Sequence, residues 1–180
     1  MPAARQWALG PGAILARYYL EDPLVLGGMI PSPAATAEAI ETLTDDWEIT
    51  TADQVRKQLA FLIETGERDE FSPSKKQKKV YAKLGDRGLL AWDLGQVPLL
   101  AGLAYVSGLL DEAEAWRACL NAARIVQRRF VSWEAYGEDY LIGRELALEE
   151  PDESLRHVFR ALVLETDGPW RLAWDVALDA

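Results

Sequence analysis

The sequence predicts an all-α fold, a single-domain irregular helical bundle of about six to eight helices around a central apolar helix at about residues 88–107. Apolar side chains recur at intervals of three and four, and no stretch keeps the strict alternation of a half-buried strand. Residues that cap helix N-termini and glycines that end helices mark the boundaries of the predicted helices. With 180 residues, 49% of them apolar and 27% charged, the chain has the size and composition of one globular domain over residues 1–180.

Residues 1–44 are expected to form an N-terminal helical extension. Its first helix, over residues 11–22, has two aliphatic and two tyrosine side chains at the spacing of one helix face. No signal peptide is expected, because Arg17 interrupts the only apolar run. After a connection rich in proline and glycine, Pro33 has the first-turn position of a short helix that runs through Leu43.

The next helix has the clearest boundaries in the first half of the chain. Thr51 can cap its N-terminus, Gln54 can reach back to complete a capping box, and Gly66 ends it. Residues 67–88 are polar and are broken by a proline and a glycine, so we expect a mobile loop or lid there. The lysine-rich part, residues 75–83, is interpreted as a solvated face.

The central helix combines an apolar surface with one carboxylate. Its side chains are apolar nearly all round, which is typical of a helix inside a bundle, and Pro98 should kink it. The polar Asp93 and Gln96 argue against a membrane span. Because a buried, unpaired carboxylate is costly, we expect Asp93 to form an inward ion pair that fixes helix register, with Arg144 as its partner.

Two further helices begin at recognisable caps. Asp111 starts the first, with Glu114 three residues later, and Ser132 starts the second. The second helix has one face built from Trp133, Tyr136, Gly137, Tyr140, Gly143 and Arg144. Glycines on such a face let another helix approach closely. A last helix starts at Pro151, and a tail that contains two tryptophans follows it.

Four blocks of this chain resemble a known family. They are DWEITTADQVRKQLAFLIETGERDEF, AWDLGQ, SGLLDEAEAW and SWEAYGEDYLIGRELA. Over about residues 45–175 the chain is similar to the bacterial domain of unknown function catalogued as twelve-sixty-six, which includes YbeU and YbeR-like proteins. The resemblance implies a binding or structural motif made of Trp92, Asp93, Trp116, Ser132, Trp133, Tyr136, Gly137, Tyr140, Gly143 and Arg144. The chain departs from the family at Gln96, where arginine is usual, and at 66–68, where Gly-Glu-Arg replaces Gly-His-Arg.

Charge and composition limit the classes of partner. A formal net charge of -10 favours a basic protein partner and disfavours nucleic acid and anionic membranes. Cys119 is the only cysteine, which excludes an intrachain disulfide and fits the cytoplasm. One cysteine and one histidine, His157, cannot form a zinc site, and no phosphate-binding loop is present. We therefore expect no metal, no cofactor and no catalytic residue of the serine or cysteine hydrolase type.

The sequence favours a non-catalytic, acidic protein-interaction domain. One concrete form is an immunity or antitoxin-like protein that covers a basic toxin, since a negative field accelerates such an encounter. The alternative is a small hydrolase-like enzyme, acting on a sugar or nucleotide, that uses Asp93 with Glu138 or Asp139 beside Trp92 or Tyr140. This alternative requires a pocket that holds two of the carboxylates, one of them with a raised pKa.

Overall fold

The computed structural model describes residues 1–178, and the regular secondary structure of this part of the chain consists of helices, with no strand. The helices are α1 (Ala3–Leu9), α2 (Ala13–Tyr18), α3 (Pro33–Asp45), α4 (Ala52–Glu64), α5 (Glu67–Glu70), α6 (Lys78–Tyr81), α7 (Leu90–Val106), α8 (Glu112–Arg129), α9 (Trp133–Leu148) and α10 (Glu153–Leu164). Short 3-10 turns cover Gly10–Gly12, Ala82–Arg87 and Pro169–Arg171. The predicted all-α class is confirmed.

Helix α7 lies at the centre of the bundle. It packs against α3, α4, α8 and α9, and all of its side chains are buried except three that are half-buried: Gln96, Leu99 and Tyr105. A helix with an apolar surface on every side has no preferred solvent face, so the other helices surround it. The predicted central helix at about residues 88–107 is confirmed, and Pro98 lies within it.

The helix caps are those that the sequence indicates. The Thr51 hydroxyl accepts a hydrogen bond from the backbone N–H of Gln54 at 3.3 Å, and the Gln54 side chain accepts one from the Thr51 N–H at 3.0 Å. Asp111 and Glu114 form the same reciprocal pair at the start of α8. Ser132 caps α9 by accepting a hydrogen bond from Ala135 at 3.2 Å.

Two segments differ from the prediction. The first helix starts at Ala3, ahead of the expected 11–22, and the 3-10 turn at Gly10–Gly12 divides it into α1 and α2. Residues 67–70 and 78–87 form two short helices and a 3-10 turn, so the loop prediction was wrong for them, whereas residues 71–77 form a loop as predicted. The cause is a second small core in which Leu84 and Leu89 are fully buried against Leu146, while the lysines at 75–83 face solvent as predicted.

No single helix within residues 1–178 has both the length and the apolar character of a membrane-spanning helix. The segments Lys78–Arg87 and Leu90–Val106 reach that length and apolar character only when they are counted together, and the chain bends by 69° between them.

Candidate functional site

Asp93 is fully buried in the first turn of α7 and is held by one arginine and two backbone groups. Its Oδ2 atom accepts a hydrogen bond from the Arg68 guanidinium at 2.8 Å and from the Arg68 N–H at 3.3 Å. Its Oδ1 atom accepts one from the Glu67 N–H at 2.9 Å. Burial raises the pKa of Asp93, and the hydrogen bonds from Arg68 and Glu67 oppose that rise. We call Gly66, Glu67, Arg68 and Asp93 the arginine latch.

The latch also closes the C-terminus of α4. Arg68 donates two further hydrogen bonds, to the carbonyl oxygens of Leu62 at 3.0 Å and Ile63 at 2.9 Å. These carbonyls belong to the last turn of the helix, where intrahelical partners run out. Gly66 has a φ of +69°, and a Cβ atom there would clash with the Asp93 carboxylate. A single arginine therefore connects α4, the start of α5 and α7.

Arg144 is not the partner of Asp93, so the predicted Asp93–Arg144 pair was wrong. Successive residues of an α-helix point about 100° apart, and it is Trp92 that faces α9, where it packs on Tyr140 with ring centroids 5.6 Å apart. Asp93 therefore turns towards the connection between α4 and α5. Arg144 instead lies 3.6 Å from Asp152 at the start of α10.

The carboxylates of the hydrolase alternative do not lie in one cleft. Asp139 forms its own ion pair with Arg87 at 2.7 Å. Glu138 and Asp139 line a cavity of about 400 Å³ that also contains Lys83, Arg156 and Arg160, but Asp93 is absent from its lining.

The aromatic motif of α9 forms the interior of the fold. Trp133 stacks on Trp170 with centroids 5.5 Å apart and planes 3° apart, and it also contacts Trp7 and Trp174. The Trp170 indole donates a hydrogen bond to the Gly10 carbonyl at 2.8 Å, so the chain's two ends meet at this cluster. These tryptophans pack together as part of the main core.

The remaining motif residues also fix helix packing. The Tyr136 hydroxyl lies between the carbonyl oxygens of Pro11 at 2.9 Å and Ala91 at 3.0 Å. Gly137 makes room for Phe159, and Gly143 makes room for Trp92, because a Cβ atom at either glycine would lie within 3.0 Å of a side-chain atom of that ring residue. The predicted close approach at these glycines is confirmed. Trp116 is likewise buried, on α8.

A second candidate site, which the sequence did not predict, has Trp92 in its lining. It is a pocket of about 450 Å³, which we call the acidic pocket. Its lining consists of Leu15, Tyr19, Glu21, Glu38, Thr42, Asp46, Trp47, Trp92, Gln96, Leu99 and Leu103. This lining includes three carboxylates and three aromatic side chains, and it contains neither lysine nor arginine.

The acidic pocket is built from three separate parts of the chain. Helix α7 supplies a mostly apolar floor that includes Trp92 and Leu103. Helix α3 and the residues after it supply Glu38, Asp46 and Trp47, and the end of α2 with the turn beyond it supplies Leu15, Tyr19 and Glu21. No local spacing rule connects residues that are this far apart in the chain.

Glu21 is the unusual carboxylate of this pocket. Its Oε2 atom is buried and has no hydrogen-bond partner among the residues that the structure describes. Burial, and to a lesser extent the charge of Glu38, raises the pKa of Glu21 to about 7. Gly28, with a φ of +73°, makes room for it, since a Cβ atom there would clash with the Glu21 side chain. Glu21 is thus a partly desolvated carboxylate that forms no ion pair with the described residues.

Other candidate chemical groups are not assembled into a site. Burial raises the pKa of the Cys119 thiol to about 12, so this cysteine is not a thiolate near neutral pH. His157 is exposed, and its Nδ1 atom lies 2.7 Å from the Glu153 carbonyl oxygen of its own helix. Within residues 1–178 no group of three or more acidic, cysteine or histidine side chains is placed to hold a metal ion.

Comparison with known proteins identifies the family but no characterised relative. Residues 72–174, more than half of the chain, match the family described as "Protein of unknown function (DUF1266)". The match begins after the latch arginine, so the sequence block at 45–71 lies outside it. No curated protein and no solved structure matches the chain. On the strength of the match over residues 72–174, the chain belongs to the DUF1266 family of proteins of unknown function.

Proposed function

We propose that this protein is a non-catalytic interaction domain that binds a basic protein partner. One observation carries the proposal: the acidic pocket combines three carboxylates and three aromatic side chains with no basic residue in its lining. Carboxylates attract a lysine or arginine, and the faces of tryptophan and tyrosine bind the same cations through their quadrupole. The net charge of -10 adds a long-range attraction for such a partner.

One concrete form of this function is an immunity or antitoxin-like protein. Such a protein must reach a basic toxin quickly, and electrostatic steering raises association rates above those of neutral pairs. A bacterial, cytoplasmic setting as in YbeU and YbeR-like proteins suits this form, and the single buried cysteine is compatible with a reducing compartment.

Affinity capture with matched charge variants tests the proposal. The tagged protein is incubated with native lysate at low and moderate salt, and the retained proteins are identified by mass spectrometry. A pocket variant carries Glu21→Gln, Glu38→Gln and Asp46→Asn, and a control variant carries Glu41→Gln, Glu64→Gln and Glu134→Gln at exposed positions outside the pocket. At pH 8, where Glu21 is mostly ionised, both variants lose nearly the same negative charge, so they separate the effect of the pocket from that of overall charge.

We expect one stoichiometric basic protein that the wild type and the control variant retain at low salt and that the pocket variant loses. The wild type should release it as salt rises, because screening weakens exposed charge pairs. If no partner is retained at any salt concentration, the proposal is wrong.

A hydrolase-like enzyme is the second candidate, and one observation favours it. Glu21, with a pKa of about 7, and Glu38 are two carboxyl groups in one aromatic-lined cleft, as a general acid and its partner would be. This pair differs from the combination of Asp93 with Glu138 or Asp139 that the sequence suggested. A panel of chromogenic glycoside and nucleotide substrates tests this candidate function. Turnover that Glu21→Gln abolishes would support a hydrolase, and the absence of turnover on every substrate would contradict it.

A further inference from the structure

We propose that the cavity of about 400 Å³ between α9, α10 and the 3-10 turn Ala82–Arg87 binds a small zwitterion with an apolar side chain, the chemistry of a free α-amino acid. We call it the mixed-charge cavity. The charged part of its lining consists of Lys83, Glu138, Asp139, Arg156 and Arg160. None of these residues lines the acidic pocket, so the inference goes beyond the proposed function and concerns a different ligand.

Two of the five charged side chains already have partners. Asp139 pairs with Arg87 at 2.7 Å, and Arg156 pairs with Glu145 at 2.9 Å. The first pair connects α9 to the 3-10 turn, and the second connects α9 to α10. These ion pairs hold the three elements around the cavity in place, and they leave the unmatched charge of the cavity to the other three residues.

The other three charged residues share the cavity without pairing across it. Glu138 lies on α9, Arg160 on α10 and Lys83 on the 3-10 turn, and none of them forms an ion pair with a described residue. An anion alone would be repelled by Glu138, and a cation alone would be repelled by Lys83 and Arg160. A ligand that carries an ammonium and a carboxylate can instead satisfy both signs, with its ammonium towards Glu138 and its carboxylate towards the two cations.

Asp139 adds a buried hydrogen-bond acceptor beside Glu138. Asp139 is only 8% exposed, and it uses its Oδ2 atom for the bond from Arg87. Its Oδ1 atom is left for a ligand that enters the cavity. An α-ammonium group has three N–H donors, so it can bind this oxygen and the Glu138 carboxylate together.

The rest of the lining is apolar and held in place by packing. It consists of Leu141, Ile142 and Phe159. The Phe159 ring packs edge-on against Trp170 with centroids 6.1 Å apart, and it fills the space beside Gly137, where a Cβ atom would clash with it. This wall can receive the aliphatic or aromatic side chain of an amino acid, and the volume of the cavity is within the range of small-ligand pockets.

The test measures binding of L-phenylalanine to the full chain at pH 6, by titration calorimetry and by NMR shifts of the Ile142 methyl groups. Three further probes each lack one feature: N-acetyl-L-phenylalanine lacks the ammonium, L-phenylalanine amide lacks the carboxylate, and glycine lacks the side chain. The variants Glu138→Gln and Arg160→Gln each remove one unmatched charge. Their matched controls outside the cavity are Glu134→Gln on α9 and Arg128→Gln on α8. All four positions are exposed, so each variant should remain folded.

We expect L-phenylalanine to bind at least about tenfold more tightly than each of the other three probes, because only it offers both charges and an apolar side chain. Glu138→Gln and Arg160→Gln should each weaken its binding by about fivefold or more, and the two controls should change it by less than about twofold. Equal binding of the four probes, no binding of L-phenylalanine at millimolar concentration, or unchanged affinity in both cavity variants would each overturn the inference. Tighter binding of N-acetyl-L-phenylalanine would also overturn it, since the cavity would then be an anion site.

Discussion

Two carboxylates of this protein lie against positive-φ glycines, and their surroundings are opposite. Asp93 sits beside Gly66 and receives three hydrogen bonds, including one from the Arg68 guanidinium. Glu21 sits beside Gly28, and its Oε2 atom receives none from the described residues. The difference distinguishes a buried carboxylate whose charge is matched by an arginine of the fold from one whose buried oxygen has no donor among the described residues. Burial of a carboxylate therefore does not by itself determine whether its charge is compensated.

Removing the latch arginine should have the largest effect on stability. Arg68→Met leaves Asp93 buried without a cation, which we expect to lower the free energy of unfolding by about 3–5 kcal/mol. Urea denaturation measures the loss. The matched control is Arg56→Met, whose ion pairs with Asp53 and Glu114 are exposed and screened by solvent, so its loss should be much smaller. Equal losses in the two variants would contradict the role assigned to the latch.

Substitution of Gly66, the glycine of the latch, should have the second-largest effect on stability. Gly66→Ala adds a Cβ atom against the Asp93 carboxylate and occupies a backbone conformation that is nearly exclusive to glycine, so we expect a loss of about 2–4 kcal/mol. Gly85→Ala is the control, because Gly85 has a similar positive φ but open space around it. If Gly85→Ala costs as much, backbone strain alone explains the effect and the latch contact does not.

Glu21→Gln should raise the free energy of unfolding at pH 8, whereas the two latch substitutions lower it. The raised pKa means that the folded protein binds a proton more tightly than the unfolded chain, so the free energy of unfolding falls as pH rises from about 4.5 to about 7. The variant should lack this slope and be more stable than wild type at pH 8 by about 1–2 kcal/mol, a figure reduced for the solvent that screens a half-buried group. Urea denaturation at pH 5 and pH 8 checks both expectations. A parallel pH profile in the two proteins would show that Glu21 is not desolvated.

Glu38→Gln should produce the smallest change. Burial is the main cause of the raised Glu21 pKa and the charge of Glu38 the second, so this variant should lower the Glu21 pKa only partly. NMR titration of the Glu21 carboxyl carbon measures the change. A return of the Glu21 pKa to the usual range of glutamate would mean that repulsion, and not burial, controls this group.

The sequence predicts the elements of the fold better than it predicts contacts between them. The caps at Thr51, Asp111 and Ser132 follow from local rules, since each cap bonds within its own first turn. The apolar surface of α7 likewise predicts its central place. The loop prediction failed at 78–87 because one buried leucine, Leu84, together with the partly buried Val80 and Tyr81 is enough to dock a polar segment.

The sites depend on contacts between helices, and the spacing of apolar residues along the sequence does not predict these contacts. The burial of Asp93 was predictable, but its partner depends on which way the first turn of α7 faces. An arginine two residues beyond a helix-terminating glycine was the available signal, since Arg68 can bind the last carbonyls of α4. The acidic pocket gave no such signal, because its walls come from elements that meet only in the folded chain.

The origin of the pocket's residues has an evolutionary consequence. Glu21, Glu38 and Asp46 all precede the stretch that matches the family, residues 72–174, whereas Trp92 and the floor from α7 lie inside it. Substitutions before residue 72 can therefore invert the charge of the walls while the central helix keeps its packing. A change in the charge of the pocket would then involve only these wall positions, whereas the residues needed for folding lie both before residue 72, as Trp7 and Arg68 do, and within the matched stretch.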